Sequence, residues 1–282
     1  MRWNSRAALF RLHAGVGLGA GLYIGIMSLS GSALLFYPEL YRALAPRPTI
    51  ALRSNRLTRV QLKDAAQKRH PGSEVTWIWE RKQPPGLVEI WMIEGDKQTE
   101  RLFNAFTGDD LGSAVPFSIR ALNALKDFHT GFLPGRGGQI LNAAGALLIS
   151  FLGISGIWLL WPGIGRRVFN GYRIRPAPSE GRAHRTIGFW TLPFVLMAGA
   201  TGLVLALEKP LSPAQSLVSL SYLLHTAGFG GWPVRLLWVL LGLAGPLLVV
   251  TGVTMWSIRV RRSLSGSRLR ASQSYFAGPL SS

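Results

Sequence analysis

The chain has 282 residues, no cysteine, and a formal charge of +18 from 31 Lys and Arg against 13 Asp and Glu. Without cysteine it builds no disulfide, no thiolate-ligated iron–sulfur cluster and no thiol nucleophile. A charge of this size raises the question of nucleic acid, and the positions of the arginines answer it. Arg2, Arg6 and Arg11 precede the first apolar run, Arg166, Arg167, Arg173, Arg175 and Arg182 separate the second from the third, and Arg259, Arg261, Arg262, Arg268 and Arg270 follow the fourth. The positive-inside rule places all three clusters on one cytoplasmic face. The basicity is a topology signal, and no nucleic-acid partner is expected.

The apolar runs lie at 14–37, 140–161, 186–207 and 234–257, each long enough to cross a ~30 Å hydrocarbon core as a helix. The expected fold is an all-α membrane domain of four transmembrane helices, a parallel repeat of two-helix halves, with a small α+β extracytoplasmic domain inserted in the first half. In chain order, 1–37 forms a cytoplasmic N-terminus and the first transmembrane helix, and 38–116 an outer linker and the small domain. An interfacial helix and the second transmembrane helix take 117–161, and a cytoplasmic basic loop 162–183. The third transmembrane helix takes 184–207, an outer loop with its own interfacial helix 208–232, the fourth transmembrane helix 233–258, and a cytoplasmic tail 259–282. Ala43-Leu44-Ala45 has the small residues of a signal-peptide cleavage site, but the length of the first run and Pro46 favour an uncleaved anchor. The localisation expected is a bacterial inner membrane, with the lipid bilayer as solvent and both termini cytoplasmic.

Residues 38–128 carry 14 Lys or Arg against 11 Asp or Glu, the mixed surface of a soluble domain. A linker rich in Pro and Arg runs to Asn55. Leu57–Arg69 reads as a helix with Thr58 as N-cap, stopped by Pro71-Gly72. Glu74–Glu80 and Leu87–Ile93 alternate as half-buried strands around a Gln83-Pro84-Pro85-Gly86 turn, and a third strand is expected at Thr99–Phe106 before a Thr107–Asp110 turn. His70 reads as a surface histidine without function. Trp77, Trp79 and Trp91 fit a binding face or a cross-strand core ladder equally well. Helical spacing recurs in Phe117–His129 and in 215–225, both ending in a histidine, and both are expected to lie on the membrane surface. The tail Ser263–Ser282 is serine-rich and polar and is expected to be disordered.

Four of the five histidines open the apolar segments at matched distances. Gly31 and Gly202 stand 18 positions after His13 and His184, and Gly156 and Gly252 stand 27 positions after His129 and His225, each preceded by Ser or Thr. The topology sorts them into an inner pair, His13 with His184, and an outer pair, His129 with His225. Zinc and copper sites generally want three or four protein ligands. A haem brings four nitrogens of its own and asks the chain for two, so two haem b groups are the expected cofactors. At ~1.5 Å per residue, 18 residues span about 27 Å, which sets Gly31 and Gly202 level with the outer pair, and Gly156 and Gly252 reach the inner pair from the other side. Gly17 and Gly188, one turn after the inner ligands, would leave room for a porphyrin edge. Arg11, Arg182 and Arg185 inside, and Lys126, Arg136 and Arg235 outside, are candidate propionate partners. Helix packing is the competing explanation for glycines in such runs, above all for Gly15, Gly19, Gly21 and Gly25.

Leu12-His13 through Ser30-Gly31, Phe128-His129-Thr130-Gly131, Ala183-His184-Arg185 through Thr201-Gly202, and Leu224-His225-Thr226 through Thr251-Gly252-Val253-Thr254-Met255-Trp256 resemble the PepSY-associated transmembrane helix proteins. Leu57–Leu111, ending in Phe103-Asn104-Ala105-Phe106-Thr107-Gly108, is similar to the PepSY domain itself. The resemblance implies a two-haem electron carrier of the ferric-siderophore reductase type, with His13, His129, His184 and His225 as iron ligands. It also implies a cytoplasmic electron donor and a periplasmic acceptor, siderophore-bound ferric iron being the leading one. The chain has no Gly-rich dinucleotide motif, so a nicotinamide or flavin donor would belong to a partner. Two other readings stay open: a haem-bearing electron-transfer subunit of a larger respiratory assembly, and a non-redox, membrane-tethered PepSY module that binds or regulates another protein.

Overall fold

A computed structural model of the chain describes residues 5–131, 135–161 and 180–276. Most of the basic loop, with Arg166, Arg167, Arg173 and Arg175, lies outside the described residues. The chain divides into two compact units, Met1–Leu35 with Lys126–Ser282 and Phe36–Leu125.

In the first unit, four helices are long and apolar enough to cross a membrane: α1 (Ser5–Leu34), α5 (Arg136–Leu160), α6 (Glu180–Ala206) and α9 (Gly231–Phe276). Two shorter helices carry histidines at their ends, α4 (Phe117–Gly131), which begins in the second unit, and α8 (Gln215–His225); α7 (Glu208–Leu211) is a single turn. Each of α1 and α6 packs on both α5 and α9. Large apolar side chains such as Leu22, Leu147, Trp190 and Leu240 point away from the protein interior, as a lipid-facing surface requires, while small residues make the close approaches. A Cβ on Gly145 would strike the Tyr23 ring, one on Gly199 the Ser150 hydroxyl, and one on Gly242 the Ser32 hydroxyl. A Cβ on Gly21 or Gly25 would meet Val249 of α9, whereas one on Gly15 or Gly19 would meet nothing within 4 Å among the described residues; close packing therefore accounts for the first two.

The tail departs from expectation as far as Phe276, and 277–282 lie outside the described residues. α9 continues through it to Phe276, because 259–276 contains no proline and is dominated by Arg, Leu, Ser and Ala, which a helix tolerates. Ser265 Oγ bonds back to Arg261 O at 3.0 Å.

The second unit holds α2 (Tyr37–Leu44), α3 (Arg59–Arg69) and four strands, β1 (Glu74–Glu80), β2 (Leu87–Glu94), β3 (Lys97–Asn104) and β4 (Asp110–Ser113). The strands form an antiparallel meander in the order β1-β2-β3-β4. Leu62 and Ala66 of α3 cover Val88, Ile90, Met92 and Phe103 on one face, and Leu87, Leu102 and Ala114 close part of the other. Thr58 caps α3 through a capping box with Gln61. Thr58→Ala is expected to cost about 1 kcal/mol, measurable as faster amide exchange over 59–69.

Two features of this unit were not anticipated, and the structure decides between the two readings of its tryptophans. Residues 37–44, read as linker, form α2 with a proline in its first turn. β3 starts and ends two residues earlier than expected, and the expected turn leads into a fourth strand. Trp77 and Trp79 are 56% and 59% exposed, with Trp77 opposite Trp91 across the ladder, so these rings lie on the open part of the sheet and not in a core.

His70 has a structural partner. Its Nε2 lies 2.6 Å from Asp110 Oδ2, the oxygen to which Arg101 Nε donates at 2.6 Å. Burial alone would raise the Asp110 carboxyl, but hydrogen bonds from Arg101, the Gly112 amide and His70 outweigh it and hold the group below the ordinary carboxylate range. With its folded value depressed, Asp110 contributes stability above the unfolded value of about 3.9 and loses it as pH falls below that toward the folded value. Asp110→Asn is expected to be less stable at neutral pH and to lack this acid-sensitive step, read by denaturation of the full chain between roughly pH 3 and pH 7.

Candidate functional site

The four histidines of the first unit meet in two pairs. His13 of α1 and His184 of α6 stand with ring centroids 6.4 Å apart at 89°. His129 of α4 and His225 of α8 stand 6.3 Å apart at 44°. An ion bonded to two facing imidazole nitrogens at about 2 Å each separates the ring centroids by roughly 6 Å, so both pairs have room for one. Among the described residues no group of three or more His, Cys, Asp or Glu converges, so each pair offers two imidazoles.

Each imidazole is held by the hydroxyl that precedes a distal glycine. His13 Nδ1 lies 2.7 Å from Ser155 Oγ, His129 Nδ1 2.9 Å from Ser30 Oγ, His184 Nδ1 2.9 Å from Thr251 Oγ1 and His225 Nδ1 2.9 Å from Thr201 Oγ1. All four hydroxyls are also within donating distance of a carbonyl one turn back: Ser155 of Phe151 O at 2.7 Å, Ser30 of Met27 O at 3.0 Å, Thr251 of Leu247 O at 2.8 Å and Thr201 of Met197 O at 2.7 Å. A hydroxyl has one proton. With that proton given to the backbone, the oxygen accepts from the histidine, so Nδ1 carries the hydrogen and Nε2 keeps its lone pair. This tautomer assignment rests on the hydrogen-bond network, and it is the one in which Nε2 can ligate a metal while Nδ1 fixes the ring. Burial lowers the pKa of His129 to about 4, with a contribution from His225, and burial lowers that of His225. Burial thus disfavours the charged form of both rings.

The distal glycines stand against the imidazoles. A Cβ on Gly156 would lie 3.5 Å from His13 Cε1, on Gly252 3.5 Å from His184 Cε1, on Gly202 3.5 Å from His225 Cε1, and on Gly31 2.8 Å from His129 Cε1. The space they leave is taken by the imidazole ring itself. Gly17 and Gly188 are different: the neighbours of an added Cβ would be Leu152 and Leu248, and both glycines line a cavity of about 790 Å³ beside His13 and His184. That volume is in the range of cofactor pockets.

Arg11 and Arg185 line this cavity, and so do Arg6 and Arg259, which sequence reasoning had assigned only to the topology signal. Arg6 donates to Leu159 O at 2.9 Å and the Arg259 guanidinium lies 4.5 Å over the Phe10 ring. Arg235 stands in the first turn of α9, near the other end of the bundle. The hydroxyls were also missed as functional groups. Their signal was present, since Ser or Thr precedes all four distal glycines.

These features define a multi-pass membrane protein with two half-buried histidine pairs. The family model described as the PepSY-associated TM region matches residues 10–219 and 208–259, a span that includes all four histidines. The chain belongs to this family. No curated protein matches the sequence.

Proposed function

We propose that the protein holds two haem b groups, one between His13 and His184 and one between His129 and His225, and carries electrons across a bacterial inner membrane. The observation that carries this reading is the fourfold repeat of one geometry: an imidazole with Nδ1 tied to a hydroxyl and a second such ring facing it. Held by these histidines, haem would supply one-electron redox chemistry. The residues do the rest. Ser155, Ser30, Thr251 and Thr201 fix the rings, the apolar helices exclude water, and Arg11 and Arg185, together with Arg6 and Arg259, offer cations for propionates.

In this reading the basic clusters put both termini and the His13–His184 pair at the cytoplasmic face, where a partner reductant delivers electrons. The His129–His225 pair and the small PepSY-like domain face the periplasm, where the acceptor is ferric iron held by a siderophore. The two halves form a parallel repeat, with the small domain inserted in the first.

The test is an absorption spectrum and haem quantification on purified full-length protein. Two haems per chain with six-coordinate, low-spin spectra are expected, followed by oxidation of the reduced protein on addition of a ferric siderophore. Colourless protein that takes up no haem would overturn the reading. Haem-loaded protein that stays reduced in the presence of ferric siderophores would remove the acceptor and keep the electron carrier.

A further inference from the structure

Equivalent positions of the two halves hold the His129 and His225 helices by different chemistry. Asn142, 13 residues after His129, is buried in α5; its Nδ2–H donates to His129 O at 2.9 Å, and its Oδ1 accepts from Tyr23 OH at 2.8 Å. Trp238, 13 residues after His225, donates Nε1–H to Leu224 O at 2.9 Å, and its ring meets Phe194 edge-on with centroids 5.6 Å apart. Tyr23 and Phe194 are themselves equivalent, each ten residues after the histidine that opens its helix, His13 or His184.

The last carbonyls of a helix lack their i+4 donors within it; Leu224 O receives a long bond of 3.4 Å from Ala227 N, and leaving such a carbonyl poorly met in apolar surroundings is costly. In both halves a side chain of the following helix meets a carbonyl of the turn that bears the histidine. The difference between the halves follows from the donor inventory. An amide has two ends, and it aims its N–H at the carbonyl only if something fixes which end points there; the Tyr23 hydroxyl does so by donating to Oδ1. An indole has a donor and no acceptor, so it needs no orienting partner, and phenylalanine suffices at position 194.

We propose that Asn142 and Trp238 are the positioning residues of the His129–His225 pair, each pinning the last turn of its histidine helix, and that Tyr23 acts through Asn142 by fixing its amide. The consequence for a cofactor rests on the functional reading above; the pinning itself does not.

The experiment is hydrogen–deuterium exchange on the purified full-length protein, followed over 126–131 and 221–225. Asn142→Leu is expected to speed exchange over 126–131 about tenfold and leave 221–225 unchanged, and Trp238→Phe to do the reverse. Tyr23→Phe is expected to act in the same direction as Asn142→Leu, less strongly, and to add nothing in the Asn142→Leu background. Electron paramagnetic resonance then reads the haem: these variants shift the signal of the His129–His225 site and spare that of His13–His184. The proposal is overturned if exchange over 126–131 does not respond to Asn142→Leu, or if Tyr23→Phe has its full effect without Asn142. Protein that shows the exchange pattern but binds no haem supports the pinning and sinks the functional reading alone.

Discussion

Alanine at His13 or at His184 is expected to remove one haem of two and leave the other in place, and alanine at His129 or His225 to remove the complementary one. The expectation follows from the pairing. Each ring faces one partner ring, at 6.4 Å in one pair and 6.3 Å in the other, and each pair is drawn from different helices. Deleting one imidazole leaves a single protein ligand at that site. The other pair keeps its two rings and both hydroxyls. Haem content per chain should fall by half in every one of the four variants, and a double variant within one pair should fall no further. A variant combining one histidine from each pair should lose both haems. Loss of the same haem on changing His13 and on changing His129 would show that the pairs are wrongly drawn. Pyridine haemochrome quantification with redox titration separates these outcomes.

A single methyl group at Gly31 should be far more harmful than the same change at the other three distal glycines. The added carbon would lie 2.8 Å from Cε1 and 3.3 Å from Nε2 of His129, closer than atoms in contact allow, and what must yield is the His129 ring. At Gly156, Gly202 and Gly252 the same carbon would meet its imidazole at 3.5 Å, an ordinary contact. Gly31→Ala is therefore expected to weaken haem retention at the His129–His225 site by roughly ten- to hundredfold, the range seen when the support of a metal ligand is disturbed. The His13–His184 site should keep its haem. Gly156→Ala and Gly252→Ala should retain both, while leucine at either position should evict the ring it faces. Equal tolerance of alanine at all four positions would show that the glycines serve helix packing and not the imidazoles.

The membrane helices were legible because a run of some twenty apolar residues has few alternatives. Their ends were less so. Nothing in the composition of 259–276 separates a helix continuing α9 from a free polar tail, since the deciding factor is the absence of a breaker and not the presence of a signal. α2 was hidden by proline, which breaks a helix in its interior but opens one at its first turn. β4 was hidden by its shortness: Asp110–Ser113 has no alternation to read, and its strand character comes from pairing with β3. In the site, the histidines were legible from matched spacing, and helix rise alone brought the distal glycines level with them. The hydroxyls before those glycines carried two meanings that sequence cannot separate, because Ser and Thr in a membrane helix bond back to their own backbone whether or not a histidine faces them. Asn142 was not singled out, because its partners, Tyr23 and the His129 carbonyl, come from other helices.

The four histidine–hydroxyl bonds have a common property. His13 bonds to Ser155 and His129 to Ser30, all within the helices before residue 162; His184 bonds to Thr251 and His225 to Thr201, all within those after 179. Each half thus orients its own two imidazoles without help from the other, and each site draws one ring from each half. This is the relation between subunits of a twofold dimer, carried on one polypeptide. Any ion shared by a pair would be a cross-link between halves, so cofactor uptake and cohesion of the bundle become one equilibrium, and the melting temperature of the membrane unit should climb with haem occupancy.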